Sequence, residues 1–277
     1  MSQHFAHRID VCSGCYLASV KKAPILLYSS GDLAEANLEF IAENLSKNGT
    51  VYLLGGSSAV PAAVEDVLKT AGYQVKRLGG SDRYDTNRVI LNEAGLDTAE
   101  EILIATGLNF ADCLSASATG LPIMLVKGTD TKLNEKQIEF LTGLKDKKIT
   151  ILGGSGAVSA ELEAEIEALI GADVERINGA SREDTSAMIA KKYFADADLA
   201  LIAYSRNYPD GLAGGVLANA LGAPLLLTNS GKEATGNAYI EEAGVEGGYV
   251  LGGTSAVTDE TAKAVFGLAA DAVIEKK

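Results

Sequence analysis

Short apolar runs alternate with longer amphipathic stretches over most of the chain. Two of these runs, ILIATG at 102–107 and ALIAYS at 200–205, each precede a polar loop and a stretch of small residues. Two others, PIMLV at 122–126 and PLLLT at 224–228, begin at a proline. Apolar runs of this length, bounded by Gly and Pro, are typical of buried strands. Because helical stretches separate them, they predict right-handed βαβ crossovers and parallel sheets with helices on both faces.

The pattern repeats with a period close to one hundred residues. The phrase LLGGSSAVP at 53–61 returns as ILGGSGAVS at 151–159 and as VLGGTSAVT at 250–258, with the glycine pairs 98 and 99 residues apart. Each copy predicts a buried strand, a Gly-Gly turn that needs positive φ, and a Ser or Thr near the start of an amphipathic helix. A period of this length predicts three similar units.

We divide the chain into three repeats, 1–75, 76–174 and 175–277. The fold class is α/β, with three tandem Rossmann-like parallel-sheet modules, and we expect a pseudo-threefold triangle that buries equivalent faces in turn. A last short strand is predicted to end each unit, and DAVIEKK at 271–277 is the candidate for it in the third.

The first repeat is N-terminally incomplete. Asp10 stands fourteen residues before Pro24, just as Asp210 stands fourteen before Pro224, so the chain starts in the second half of a repeat. The helix and the central strand that precede this point in the other repeats have no counterpart. Either the chain is a fragment of a longer protein, or its first unit is degenerate.

Charge and hydropathy restrict the classes of partner. The chain has 277 residues, of which 37 are acidic and 24 basic, for a net charge of −13. This balance disfavours a nucleic-acid or anionic-membrane surface, so an anionic partner needs a local basic site. The sequence has no run of about 18 apolar residues that could span a membrane. The start MSQHFAHRID lacks the hydrophobic core of a signal peptide, so export would need sequence that is missing here.

The cysteines give little support for a metal site. Cys12, Cys15 and Cys113 are too few for a disulfide framework. Cys12 and Cys15 form a CxxC that follows His4 and His7. An HxxH so close to CxxC is not a usual zinc spacing, and the repeat alignment places both cysteines on an ordinary helix. We predict no metal and no cofactor.

The glycine pairs also allow a phosphate-binding interpretation, because backbone N–H groups at a helix start attract anions. Neither GxGxxG nor GxxxxGK[ST] occurs, so a structural turn is favoured. An intracellular phosphate- or nucleotide-binding α/β enzyme is the alternative function. No GxSxG or HExxH motif occurs, and the repeats contain no histidine, so we predict a protein that is not an enzyme.

Polar residues follow the apolar strands at the end of the sheet where α/β proteins bind ligands. Asn109 and Asp112 are three residues apart, as are Asn207 and Asp210. This spacing favours a helix N-cap with a carboxylate in the first turn, and it leaves ligand contact open. The same spacing predicts capping pairs at Asp82 with Asp85 and at Ser181 with Asp184.

Two arginines, Arg83 and Arg182, recur in the first turn of predicted helices. A cation there opposes the helix dipole by about 0.3–1 kcal/mol, which indicates an acidic partner. The favoured partner is an aspartate such as Asp112 or Asp210, in an interdomain ion pair. The other is a phosphate or carboxylate of an anionic ligand, which arginine can bind with two hydrogen bonds.

In combination, the segment GGSDRYDT, the N-[FY]-x-D segment, the proline-led apolar motif and the phrase LGG[ST]-x-AV resemble the type 2 cell-wall-binding repeat (CWB2) of Gram-positive surface proteins. The resemblance covers essentially the whole chain, as two complete repeats and one partial repeat. It implies modules related to Toprim-type α/β domains, packed as a pseudo-threefold trimer. It also implies a noncovalent anchor that binds an anionic cell-wall polysaccharide outside the cell, with an effector domain on a longer precursor.

The resemblance also assigns residues. It places the DRY arginine at Arg83 and Arg182, although the third repeat has Ser181 and Glu183 beside it and the first repeat has no such segment. By themselves, the residues of the proline-led motif predict buried strands. The resemblance links this motif to wall attachment at three places: Pro24, Ile25, Leu26 and Leu27; Pro122, Ile123, Met124 and Leu125; Pro224, Leu225, Leu226 and Leu227.

Overall fold

The chain folds into helices that alternate with short parallel strands, and the computed structural model describes residues 6–28, 32–207 and 209–275. A 3-10 helix at Ser117–Thr119 follows α5 directly. The α-helices of the described part are α1 (Ala6–Lys21), α2 (Asp32–Asn44), α3 (Ala62–Thr70), α4 (Arg83–Ala94), α5 (Ala111–Ala116), α6 (Glu135–Thr142), α7 (Ala160–Ile170), α8 (Arg182–Tyr193), α9 (Pro209–Leu221), α10 (Glu233–Ala243) and α11 (Asp259–Val265).

The strands form three separate parallel sheets, one for each repeat. Their bounds are β1 (Thr50–Leu54), β2 (Gln74–Leu78), β3 (Glu101–Thr106), β4 (Ile123–Val126), β5 (Lys148–Leu152), β6 (Glu175–Ile177), β7 (Leu199–Tyr204), β8 (Leu225–Thr228) and β9 (Gly247–Val250). The strand orders are β1-β2, β4-β3-β5-β6 and β8-β7-β9. The predicted α/β class with three parallel-sheet modules is therefore confirmed.

The second module has the most complete sheet. Its central strand β3 pairs with β4 on one side and β5 on the other, so that Leu103 lies opposite both Ile123 and Thr150. All four residues of β4 are buried, as are the last five of β3, because helices cover both faces of the sheet. This is the burial that near-continuous apolar strands predict.

Two predicted strands are absent from the described residues. Residues 24–28, where the first proline-led motif was expected to form a strand, are extended but pair with no described strand. The expected last strand of the third module does not form within 271–275, where Val273 is 87% exposed. In the other modules the last strand forms an ion pair with the helix that follows it.

The predicted divisions at 75/76 and 174/175 do not coincide with the ends of the sheets. Strand β2 continues to Leu78, and β6, which begins at Glu175, pairs with β5 of the second module. Helices α4 and α8 likewise bridge two modules, since α4 packs on α1 and β4 while α8 packs on α5 and β8. The divisions stay a sequence-based prediction.

Equivalent helices of the three modules meet at the centre of the molecule. Helix α9 contacts α1, α5 and the 3-10 helix, and α1 contacts the 3-10 helix. Cys15, Ser117 and Gly215 each lie five residues after the recurring aspartate of their repeat, and a Cβ on Gly215 would lie 1.9 Å from Ser117 Oγ and 3.5 Å from Cys15 Sγ. Three equivalent positions therefore converge, as the expected pseudo-threefold arrangement requires.

Candidate functional site

Helices α4 and α8 begin with the side-chain caps that the spacing predicts. Asp82 Oδ1 accepts a hydrogen bond from the backbone N–H of Asp85 at 2.8 Å. Ser181 Oγ accepts from the backbone N–H of Asp184 at 3.2 Å. Caps of this kind stabilise a helix by about 1 kcal/mol, which explains why short polar residues recur at this position.

The recurring arginines bind backbone carbonyls at the carboxyl ends of the central strands. Arg83 Nη1 donates to the Gly107 carbonyl at 2.6 Å, and Arg182 Nη1 donates to the Ser205 carbonyl at 2.7 Å. The Arg182 guanidinium also lies 5.5 Å from the centre of the Phe110 ring, across the junction of the second and third modules.

The favoured interdomain ion pair with an aspartate is not formed by either arginine among the residues that the structure describes. A carbonyl oxygen takes the place of the carboxylate, because a strand end presents carbonyls that need donors. Both arginines are partly buried by these contacts. Their binding of an external anion stays a prediction.

The predicted Asn and Asp pair of the second module lies in the loop after β3. Asn109 Oδ1 accepts from the backbone N–H of Ala111, the first residue of α5, at 3.2 Å. The N-cap residue of α5 is Phe110, which makes no side-chain cap, so Asn109 is not the N-cap that the spacing predicts. Asp112 is only 8% exposed. Burial raises the pKa of its carboxyl group, and the positive charge of Arg182 opposes that shift.

These aspartates lie against the Gly-Gly turns. A Cβ on Gly153 would be 2.5 Å from Asp112 Oδ2, and a Cβ on Gly252 would be 2.4 Å from Asp210 Oδ2. Gly153 and Gly252 have φ values of 88° and 96°, as the sequence predicts. Asn207, the other predicted polar residue of the third module, lies in the loop between β7 and α9.

The first N–H of the turn is used inside the sheet. Gly55 N–H donates to the Leu78 carbonyl and Gly153 N–H donates to the Ile177 carbonyl, both at 2.8 Å. These two N–H groups are therefore occupied by strand-to-strand bonds. The geometry favours the structural turn over a phosphate cradle.

The proline-led motif forms core strands in two modules. Ile123, Met124 and Leu125 are at most 3% exposed, and Leu225, Leu226 and Leu227 are 1% exposed. Pro122 and Pro224 are buried as well. In the first module, by contrast, Leu26 is 36% exposed, Pro24 is exposed, and Ile25 and Leu27 are only partly buried.

The sequence did not indicate which side chain hydrogen-bonds to the backbone of this motif. Asn87 of α4 donates from Nδ2 to the Ile123 carbonyl at 2.8 Å and accepts through Oδ1 from the Leu125 N–H at 2.9 Å. In the third module Ser186 Oγ accepts from the Leu227 N–H at 3.0 Å. The spacing signal was available, because Asn87 and Ser186 occupy the same place in the aligned segments.

Two other missed residues are Arg77 and Arg176, which are the next-to-last residues of β2 and β6. Arg77 Nη1 donates to the Gly55 carbonyl at 3.2 Å, and Arg176 Nη1 donates to the Gly153 carbonyl at 2.7 Å. Each also pairs with a glutamate of the helix that follows the glycine turn. The two arginines therefore clamp the glycine turns.

A surface cleft of about 360 Å³ lies between the starts of α4 and α6 and the end of β4. It brings together the DRY segment and the proline-led motif, which are about forty residues apart in sequence. Neither Arg83 nor the pair Asn109 and Asp112 lines it. Its lining includes Ser81, Asp82, Tyr84, Asp85, Asn87, Arg88, Met124, Leu125, Asn134, Lys136, Gln137 and Phe140.

Asp85 is the electrostatic centre of this cleft. Its carboxylate pairs with Arg88 Nη2 at 2.7 Å and with Lys136 Nζ at 3.0 Å, and it accepts from the Ser81 N–H at 3.2 Å. These contacts hold its pKa well below the ordinary value, so the carboxylate is ionised at neutral pH. The cleft thus presents fixed charges of both signs.

Arg88 has one donor that the described residues do not satisfy. Its Nε is buried and has no hydrogen-bond acceptor in the part of the chain that the structure describes. Lys136 has a side chain that is 56% exposed, and an ammonium group carries three N–H donors, of which Asp85 accepts one. The exposed N–H donors of Lys136 beside the cleft are suited to bind an oxygen-rich anionic ligand.

No metal cluster and no membrane-spanning helix is found within the described ranges. No group of three or more His, Cys, Asp and Glu side chains in them is placed to hold a metal ion. Among the same residues, no helix has both the length and the apolar character to cross a bilayer. His4, which belongs to the CxxC interpretation, lies outside the described residues, as do the side chains of His7 and Cys12.

A family model confirms the resemblance to the type 2 cell-wall-binding repeat. The model described as "Cell wall binding domain 2 (CWB2)" matches residues 2–65, 77–163 and 176–262. The chain belongs to the CWB2 family. Its three sheets correspond to three CWB2 repeats, and the cleft described above lies in the second of them.

Two relatives of this CWB2 chain are proteins of Bacillus subtilis. It is 28% identical over 261 residues to the N-acetylmuramoyl-L-alanine amidase LytC of Bacillus subtilis (strain 168), covering 91% of this chain and 50% of LytC. It is 27% identical to the amidase enhancer of the same organism, with 91% and 34% coverage. The CWB2 chain thus spans half or less of the length of these relatives.

Solved structures share the CWB2 fold. Cwp8 from Clostridium difficile matches with a TM-score of 0.80 and 28% identity, covering 95% of this chain and 46% of Cwp8. Cwp6 from the same organism matches with a TM-score of 0.80 at 24% identity, over 94% of this chain and 42% of Cwp6, and shows the fold alone.

Proposed function

We propose that this CWB2 chain is a noncovalent anchor that binds an anionic polysaccharide of the Gram-positive cell wall. It would act outside the cell and hold a longer surface protein, with an effector domain elsewhere on that protein, to the wall. Cell-wall binding itself follows from family membership. The length of LytC beyond the matched half supports the effector domain.

The exposed ammonium group of Lys136, which lies in the cleft beside Arg88, is the observation that supports an anionic ligand. The chain as a whole is strongly acidic, so its long-range electrostatic field would repel a polyanion. Binding therefore depends on a local pair of cations. In the cleft Arg88 and Lys136 supply it, and Tyr84 and Phe140 offer aromatic surface to a sugar ring.

Sedimentation with purified Gram-positive cell walls tests this proposal. We expect the chain to pellet with intact walls and to be released as salt rises, because exposed charge pairs are screened. Walls stripped of phosphodiester-linked and acidic polymers should retain much less of it. Equal retention by stripped and intact walls would contradict an anionic polysaccharide as the ligand.

Substitutions then locate the site. Lys136→Ala and Arg88→Gln should each weaken wall binding several-fold, about 1 kcal/mol for one charge-assisted contact. Lys69→Ala is the matched control, because Lys69 is also half exposed and paired with one carboxylate, in a different module. If Lys69→Ala weakens wall binding as much as Lys136→Ala does, then binding depends on the net charge of the chain and not on the cleft.

The arginines of the DRY segment provide a second arm of the same assay. If they bind the polymer, Arg83→Ala combined with Arg182→Ala should weaken sedimentation at temperatures where the variant is folded. Thermal unfolding must accompany this measurement, because both side chains also hold strand-end carbonyls. Unchanged wall binding by the folded double variant would remove these arginines from the site.

A further inference from the structure

The cleft of the second module has an equivalent place in the third module, but the side chains there are different. The two complete repeats align with a constant offset of 99 residues along α4 and α8, and again from α6 and α10 to the Gly-Gly turns. Asp85 of the cleft therefore corresponds to Asp184, and Arg88 corresponds to Ala187. The contacts around the two aspartates show how far the chemistry of this place is kept.

The two cations of the cleft are replaced by neutral side chains in the third module. In the second module an arginine and a lysine pair with the aspartate. Asp184 instead accepts from two hydroxyl groups, Thr235 Oγ1 at 2.9 Å and Ser181 Oγ at 2.9 Å. Thr235 of α10 stands 99 residues after Lys136, so a threonine takes the place of the lysine. The aspartate of the third module is thus held by hydroxyl groups and not by cations.

A buried carboxylate replaces an aromatic side chain of the cleft. Tyr84, which lines the cleft, corresponds to Glu183, whose side chain is 3% exposed. Glu183 Oε1 accepts from Asn229 Nδ2 at 2.7 Å. Burial acts to raise the pKa of this carboxyl group, but hydrogen bonds, among them one from the Ser205 hydroxyl, hold the pKa below its ordinary value. The third module therefore has a fixed negative charge where the second has an aromatic ring.

The other aromatic side chain of the cleft also differs between the two modules. Phe140 of α6 is partly exposed and lines the cleft. Its counterpart, Tyr239 of α10, is 1% exposed, and its hydroxyl donates to the Phe194 carbonyl at 2.6 Å. A ring that is buried in the core has no free face on which a sugar can stack. The aromatic surface that the second module offers to a sugar is therefore lost in the third.

The residues that differ lie where two cavities of the second module meet. A second cavity of about 290 Å³ between α4 and α6 shares Arg88, Lys136 and Phe140 with the cleft. A polymer that extends from one cavity into the other therefore passes these three side chains. Their counterparts in the third module are an alanine, a threonine and a buried tyrosine, which supply neither positive charge nor an exposed ring.

We propose that, of the two complete repeats, only the second binds the anionic wall polymer at this place, and that Arg88, Lys136 and Phe140 determine this specificity. The inference rests on the proposed anchor function. The polymer lies across both cavities with its acidic groups toward Lys136. The equivalent place of the third module excludes the polymer, because Glu183 and Asp184 present negative charge there without an aligned cation. The two repeats thus share a fold at this place but not a ligand.

Protection of lysines from acetylation tests the two places in the same chain. Lys136 lies in the first turn of α6, and Lys232 is the N-cap residue of α10, so both are exposed lysines beside equivalent aspartates. The full chain, free or bound to purified Gram-positive cell walls, is treated with an amine-acetylating reagent and analysed by mass spectrometry. We expect wall binding to slow acetylation of Lys136 several-fold and to leave that of Lys232 unchanged. Equal protection of the two lysines, or none at Lys136, would overturn the proposal.

Variants of the two lysines test the same difference through wall sedimentation. Lys136→Ala should weaken wall binding several-fold, whereas Lys232→Ala, the matched control in the third module, should leave it unchanged. Phe140→Ala should also weaken binding, with no change of charge, at temperatures where thermal unfolding shows the variant to be folded. Salt-sensitive wall binding that Lys232→Ala weakens as much as Lys136→Ala does would overturn this inference and leave the anchor function standing. A parent chain that does not bind walls at all would remove the anchor function itself.

Discussion

At the scale of single residues, two aspartates of the second module have opposite electrostatics. Burial raises the pKa of Asp112, whereas the hydrogen bonds from Arg88 and Lys136 lower the pKa of Asp85. The folded state therefore favours the protonated form of Asp112 and the ionised form of Asp85. Relative to the unfolded chain, Asp112 therefore favours the folded state more at low pH than at neutral pH. Asp85 favours the folded state more at neutral pH than at low pH.

This difference predicts opposite pH dependence for two variants. Asp112→Asn should gain stability relative to the parent as pH rises from about 3 to 7, because the parent must ionise a buried carboxyl group above its raised pKa. Asp85→Asn should lose stability relative to the parent over the same range, because an ionised partner of two cations is removed. Urea unfolding at several pH values measures both. Parallel curves for the two variants would contradict the assignment.

Residue recurrence was predictable from the sequence, but the bonding partners were not. The repeat alignment identified Arg83 and Arg182, and the dipole argument indicated an acidic partner for each. The acceptor is a strand-end carbonyl, which has no sequence signature, so an aspartate was favoured instead. The same limit concealed Asn87, whose partners are the backbone groups of β4.

At the scale of elements, the last strand of each of the first two modules forms an ion pair with the helix that follows it. The positions of the positive and the negative residue are exchanged between the two modules. Lys76 of β2 pairs with Glu93 of α4, and Glu175 of β6 pairs with Lys192 of α8. The two pairs occupy equivalent positions, 99 residues apart. The repeat therefore keeps the attraction between strand and helix without keeping the sign at either position.

Exchanging the two residues of the Lys76–Glu93 pair should give the charge arrangement of the Glu175–Lys192 pair. Lys76→Glu and Glu93→Lys should each destabilise the chain, since each places like charges together, and the double variant should recover most of the loss. Only a small coupling free energy is expected, because Lys76 is half exposed and solvent screens the pair. A double-mutant cycle by urea unfolding measures it, and additive effects of the two changes would show that the contact contributes nothing.

The elements were predictable where apolar runs are buried on both faces, as in β3, β4, β7 and β8. The last strand of the third module was not, since the apolar pattern of residues 271–275 predicts a strand that the structure does not form. The cleft beside Asp85 also escaped prediction. It forms from three separate segments, and only the fold brings Lys136 to the DRY segment.

At the scale of the whole molecule, the three modules are joined by close packing of small residues at the centre. Gly215 has no room for a Cβ, since Ser117 Oγ would be 1.9 Å away. Ser117 is 2% exposed, and its hydroxyl donates to the Leu114 carbonyl at 2.6 Å. The approach of α9 to the 3-10 helix therefore depends on a glycine at this position.

Gly215→Ala is expected to destabilise the chain by about 1–3 kcal/mol, the usual range for overpacking, although alanine in a helix would otherwise be favourable. Adding Ser117→Gly should relieve the clash, so that the double variant is more stable than the sum of the single effects. Gly253→Ala is the control, because a Cβ there meets nothing within 4 Å. Calorimetry measures all five proteins, namely the parent, the three single variants and the double variant, and a neutral Gly215→Ala would contradict the close approach.

The bridging positions of α4 and α8 bear on how such a protein can change in evolution. Each of these helices belongs to one copy of the repeat but covers an apolar surface on the copy before it. Deleting a single copy would expose an apolar surface of the neighbouring copy. Inserting one would add a fourth copy that cannot make the same contacts in a triangle of three. Gene duplication in this lineage should therefore add or remove copies as whole triplets.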